Sequence, residues 1–160
     1  MDENLRQAAA QAIGNIFETM FFVFLEPLQP EREEWRTVAR GSGSEWLRGV
    51  IGFQGRIKGT LRLWIPYGLA GELATDFLGL ETEASDTQAV DIVRELTNMI
   101  CGNLFAIFDR QQVYLLDLPQ AELVRFDPEQ AGAGNPEDRR LDFLAGDRMI
   151  RLEIESGPVG

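Results

Sequence analysis

The run from Asp91 to Asn103, DIVRELTNMICGN, holds the residues of this chain best spaced to do chemistry together. At about 100° per residue, a helix there brings Asp91, Glu95, Asn98 and Gly102 within roughly 60° of one another. Val93, Leu96, Ile100, Leu104 and Ile107 gather on the opposite side, so one face packs and the other is presented. A carboxylate and a side-chain amide three residues apart have Cβ atoms about 5–6 Å from each other, close enough to act on one small target. Gly102 is out of place by helix propensity, since glycine inside a helix costs about 1 kcal/mol relative to alanine. Close approach by another molecule is the expected reason.

Composition removes most other chemistry. The chain has no histidine, which takes away the usual general base, the commonest metal ligand and every serine or cysteine nucleophile paired with histidine. Cys101 is the single cysteine, so neither an internal disulfide nor a cysteine-cluster metal site can form, and its place beside the apolar side of the helix reads as a packed thiol. No glycine-rich phosphate loop, acidic metal-ligand cluster or carboxylate pair stands out among the 26 acids. A net charge of −11 opposes nucleic acid and anionic lipid, which leaves a protein as the expected partner. The N-terminus lacks a basic leader, and the longest apolar run, Met20 to Leu25, is far short of the about 18 residues a membrane span requires. A cytoplasmic protein bound to neither membrane nor nucleic acid is expected.

The elements that must position the stripe follow from periodicity. Residues 3–25 read as a first helix through Leu5, Ala9, Ile13, Ile16, Phe17, Met20, Phe21 and Phe24, ended by Pro27 and Pro30. Trp46 to Phe53 and Lys58 to Ile65 flank Gln54-Gly55-Arg56 as a hairpin, with Trp64 assignable to either face. Gly49, Gly52, Gly55 and Gly59 fit bulges, contact with a packed helix or ordinary turn chemistry. A helix after Pro66 carries Leu69, Leu73, Phe77 and Leu78 and stops at Gly79; Ser85 or Asp86 then caps the long helix from Thr87 to Asp109. Strands are expected at Val113 to Leu118, more weakly at Glu122 to Phe126, and in a hairpin of Leu141 to Leu144 with Met149 to Ile154. Asp127 to Asp138 reads as a loop within one domain. The sum is an α+β fold, two long amphipathic helices layered on one largely antiparallel sheet, in a single domain spanning residues 1–160. Both long helices carry a Glu near an Asn or Gln, but no internal sequence repeat stands out.

Asp91-x-x-x-Glu95-x-x-Asn98, followed by Met99-Ile100-Cys101-Gly102-Asn103 and later by Leu118-Pro119, resembles the CheC/CheX family of chemotaxis phosphatases. The likeness extends to its single-site CheX-like branch in Gly55-Arg56-Ile57-Lys58-Gly59-Thr60-Leu61, in the Gly68 to Ala74 helix and in Phe17-Glu18-Thr19-Met20-Phe21. It covers about residues 10–155. Pro119 lies somewhat nearer to Asn98 than the family's proline does, which implies a shortened loop. Two-site members repeat Glu-x-x-Asn on the first helix, whereas here Glu18 is followed three residues later by Phe21. One site per chain is implied.

The resemblance implies hydrolysis of the phosphoaspartate on a CheY-like response regulator, with Mg²⁺ held by the regulator and no cofactor bound by this chain. In that role Asn98 orients the attacking water and Glu95 docks on the receiver's active-site lysine, while Asp91 and Gly102 face the partner. Positioning supplies most of the catalysis available in phosphoryl transfer, so the lack of histidine is no obstacle. The resemblance also implies a homodimer through sheet edges, for which the apolar strands between Leu141 and Ile154 are candidates. A competing reading keeps the fold as a non-catalytic module that binds a response regulator or a flagellar switch protein. A third leaves the stripe as a solvated helix face on a structural domain.

Overall fold

The computed structural model describes residues 1–130 and 139–158. Among these, four helices pack on a sheet whose paired strands are all antiparallel. In chain order the elements are α1 (Glu3–Phe21), β1 (Glu26–Pro27), α2 (Glu33–Gly41), β2 (Glu45–Gln54), β3 (Ile57–Pro66), α3 (Tyr67–Leu78), α4 (Asp86–Phe108), β4 (Leu115–Leu116), β5 (Gln120–Arg125), β6 (Arg140–Ala145) and β7 (Arg148–Pro158). The sheet runs β1-β6-β7-β3-β2, and β2 pairs on its far side with β5 over Glu45 to Val50 and with β4 at Phe53 and Gln54. The α+β layering expected from the sequence is thus present. No helix among the described residues is long and apolar enough to cross a membrane.

Strand alternation sorts two layers of core. Leu47, Ile51 and Phe53 of β2, Leu61, Leu63 and Ile65 of β3, and Ile150, Leu152 and Ile154 of β7 point to one face, where α1, α3 and α4 bury their apolar sides. Trp46, Trp64 and Met149 point to the other, beneath Trp35 and Ala39 of α2. Trp64, assignable to either face from sequence, stacks on Phe126 at 4.0 Å in this second layer. Under α2 the buried Asp142 carboxylate accepts from Trp35 Nε1 at 2.7 Å and from Arg151 Nε at 2.7 Å. Arg151 also donates to the Pro128 carbonyl at 3.2 Å and lies over the Phe126 ring.

Several boundaries differ from the sequence reading. The first helix stops at Phe21, because Phe22 turns left-handed (φ 56°) and its N–H, with that of Val23, closes on the carbonyls of Glu18 and Phe17. The cap comes before either proline and leaves Phe24 exposed rather than on the packed face. Phe77 and Leu78 are likewise about half exposed, so only Leu69 and Leu73 of the expected α3 stripe are buried. α2 has no counterpart in the sequence reading, since nine residues with Trp35 and Ala39 one turn apart are too short a pattern to register. Val113 to Leu118 shrinks to the two paired residues of β4, and Leu118 points into solvent. β7 lies between β3 and β6, so the backbone of Met149 to Ile154 is consumed inside the sheet and cannot pair across a two-fold axis. Of the expected loop from Asp127 to Asp138, residues 131–138 lie outside those described.

Candidate functional site

α4 begins in a capping box: Ser85 Oγ accepts from the Gln88 N–H at 3.2 Å, and Gln88 Oε1 accepts from the Ser85 N–H at 2.9 Å. The Tyr67 hydroxyl donates to the Asp86 carboxylate and ties this end to the start of α3; that bond, more than any other influence, raises the phenol's pKa. At the far end Asp109 accepts from Arg56 Nε at 2.9 Å and from the Tyr114 hydroxyl at 3.2 Å, and the Tyr114 ring stacks on Phe105 at 4.1 Å. Burial and then Asp109 push the Tyr114 hydroxyl up from its ordinary pKa. The helix is therefore tied at both ends.

Its middle is seated on β2. Thr97 is fully buried and donates from Oγ1 to the Val93 carbonyl at 2.7 Å. A Cβ on Gly49 would stand 1.9 Å from that same Oγ1, so strand and helix meet where glycine alone fits. Of the readings open for Gly49 from sequence, contact with a packed helix is the one realised. Gly49→Ala is expected to cost about 1–3 kcal/mol by overpacking. Thr97→Ala in the same chain should recover part of that loss in denaturant unfolding, and an unchanged midpoint for Gly49→Ala would show that the seat is not tight.

Val93, Leu96, Ile100 and Leu104 are buried as expected, and Ile107 is half-buried. Cys101 is buried too, and desolvation pushes its thiol up to about 12, which makes it a packing group rather than a nucleophile. On the open side Asp91, Glu95 and Gly102 are exposed and Asn98 is half-buried. Asp91 pairs with Arg94 one turn along, a contact the sequence reading did not foresee, although i,i+3 spacing permits it. Neither the Glu95 carboxylate nor the Asn98 amide has a side-chain partner among the described residues.

Gly102 borders a groove with Phe105, Ala106, Asp109, Tyr114 and Leu116, and a Cβ built there meets nothing within 4 Å. Nothing inside the chain requires glycine at this position. Gly102→Ala is expected to raise stability by up to about 1 kcal/mol through helix propensity. A lower melting temperature for that variant would mean that α4 itself needs the glycine. Pro119 is half-buried between β4 and β5, beside the exposed Leu118. Among the described residues no group of three or more histidine, cysteine or acidic side chains could hold a metal ion.

Residues 47–122, from the first hairpin through α4 to β5, match the profile of the family described as chemotaxis phosphatase CheX. The chain belongs to the CheC/CheX family. Among curated protein sequences nothing matches it. Solved structures do. A CheC-like superfamily protein from Shewanella sp. PV-4 superposes with a TM-score of 0.74 at 21% identity, over 98% of this chain and 99% of that one. Chemotaxis protein CheX from Vibrio vulnificus gives 0.72 at 19% identity, over 98% and 100%. A CheX-CheY-BeF3-Mg2+ complex from Borrelia burgdorferi contains a chain matching at 0.67 and 13% identity, over 95% and 97%. At these identities the likeness establishes the CheC/CheX fold, in which α4 is the helix that carries Glu95 and Asn98.

Proposed function

We propose that this CheC/CheX-family chain is a phosphatase for the phosphoaspartate of a CheY-like response regulator, acting in the cytoplasm as one CheX-like domain. The observation that carries the reading is the pair Glu95 and Asn98, one turn apart on the open face of a tied helix, each without a partner in its own chain. The CheX-CheY complex among the structural relatives supports a receiver as the partner.

Hydrolysis of an acyl phosphate needs water in line with the leaving carboxylate. The water oxygen bonds to phosphorus as the bond from phosphorus to the aspartate oxygen breaks, and the aspartate leaves as a carboxylate that needs no proton. The Asn98 carboxamide can accept from that water through Oδ1 and donate to a phosphoryl oxygen through Nδ2, without titrating. Glu95 pairs with the receiver's lysine and sets the depth at which Asn98 enters. Asp91, held by Arg94, lies on the rim, and the open backbone at Gly102 lets the receiver approach. The receiver supplies Mg²⁺. Within a homodimer, the outer edges of β5 and β6 are the strands that remain to pair.

The test is the phosphorylated lifetime of candidate receivers with the wild-type chain and with variants at Glu95 and Asn98. A shortened lifetime that depends on both side chains is expected. Receiver binding that leaves the lifetime unchanged would select the non-catalytic module instead.

A further inference from the structure

α1 repeats the pattern of α4, a likeness that the sequence alone does not reveal. Every buried residue of α1, from Leu5 to Phe17, has a buried counterpart in α4, from Val93 to Phe105, at the same spacing. In that register Gly14-Asn15-Ile16-Phe17 falls on Gly102-Asn103-Leu104-Phe105, and a Cβ on either glycine meets nothing within 4 Å. The positions of Asp91, Glu95 and Asn98 are taken on α1 by Glu3, Gln7 and Ala10. Burial agrees as well: the first two of each set are exposed and the third is half-buried. The settings correspond too. Gly102 borders a groove against β4 at one edge of the sheet, and Glu3, Gln7 and Ala10 border a cleft against β1 and β6 at the other.

Burial of an amphipathic helix accounts for the matching apolar positions but not for the matching open glycines, which touch nothing in the chain. We propose that the Glu3, Gln7, Ala10 and Gly14 face of α1 is a second receiver-docking face, one that binds without hydrolysing. The inference rests on the reading of α4 as the receiver-docking helix. Ala10 has no amide with which to orient water, so turnover is lost there. Gln7 can accept a hydrogen bond from a lysine through its carbonyl oxygen but carries no charge, so docking persists more weakly than at Glu95.

The test titrates a receiver held in its phosphorylated form by beryllofluoride and Mg²⁺ into the chain and reads stoichiometry by calorimetry. Two receivers per chain are expected, the second at least tenfold weaker. Gly14→Trp should abolish the weaker site and Gly102→Trp the stronger, with circular dichroism confirming that each variant is folded. In an Asn98→Ala background, Gln7→Glu with Ala10→Asn should raise phosphate release at least tenfold. One receiver per chain with wild-type hydrolysis intact, a second site indifferent to Gly14→Trp, or no gain of turnover would each overturn the α1 proposal while leaving the α4 reading standing. If the wild-type chain neither binds nor dephosphorylates any receiver, the α4 reading falls and takes this one with it.

Discussion

Asn98→Ala is expected to lower phosphate release from a phosphorylated receiver on the order of 10²-fold, the usual scale for removing one preorganised polar group from a transition state. The substitution is clean on three counts. Alanine is the best helix former, the Asn98 amide has no side-chain partner to lose, and the apolar side of α4 is untouched. Folding stability should therefore hold or rise slightly while the rate falls. Binding of a beryllofluoride-trapped receiver should change much less than the rate, since the amide acts on water and phosphoryl oxygen. Glu95→Ala should weaken both, because the lost ion pair fixes docking as well as depth. Normal phosphate release by Asn98→Ala would remove it from the water-orienting role, and unchanged kinetics for Glu95→Ala would remove the anchor.

The largest effect on stability is expected at Asp142. Asp142 and Arg151 have side chains only 1% exposed, and the carboxylate accepts from Arg151 at 2.7 and 3.2 Å and from Trp35 at 2.7 Å. Asp142→Ala leaves the guanidinium buried opposite no anion and the indole N–H without its acceptor. Removing one partner of such a pair costs about 3–5 kcal/mol. Replacing both, as Asp142→Leu with Arg151→Met, should cost far less, since no charge is then left behind. Chemical denaturation of the two variants checks this, and a loss below about 1 kcal/mol for Asp142→Ala would contradict it. Asp142 lies under α2, on the sheet face opposite α4, so the phosphatase rate per folded molecule should be unaffected.

The parts of this molecule readable in its sequence are those whose signal is local and periodic. α4 shows in its apolar spacing and in Ser85, the β2-β3 hairpin in its alternation around Gly55, and the terminal hairpin in Leu141 to Ile154. The open face bearing Glu95 and Asn98 follows from the same spacing, since a helix whose packed side is known has its presented side fixed. What escaped is set by contacts distant in the chain or by patterns too brief to stand out. Trp35 and Ala39 make a helix of α2 only because Trp46, Trp64 and Met149 lie beneath them. Nothing in Phe21-Phe22-Val23-Phe24 announces a left-handed residue, so the apolar run was read one turn too far. The likeness of α1 to α4 was hidden for a different reason: Gln7 and Ala10 stand where the chemistry-bearing pair would have drawn the eye, and the remaining identities are few.

The contact between Gly49 and Thr97 has a consequence for how sequences of this fold can diverge. A side chain at position 49 and a hydroxyl at position 97 contend for the same space, so neither position can drift alone. Enlarging the strand residue demands a smaller one on the helix, or else a helix that slides along the sheet and carries Glu95 and Asn98 with it. Substitution at a buried position far from any solvent could in this way alter the reach of the surface side chains that meet the partner.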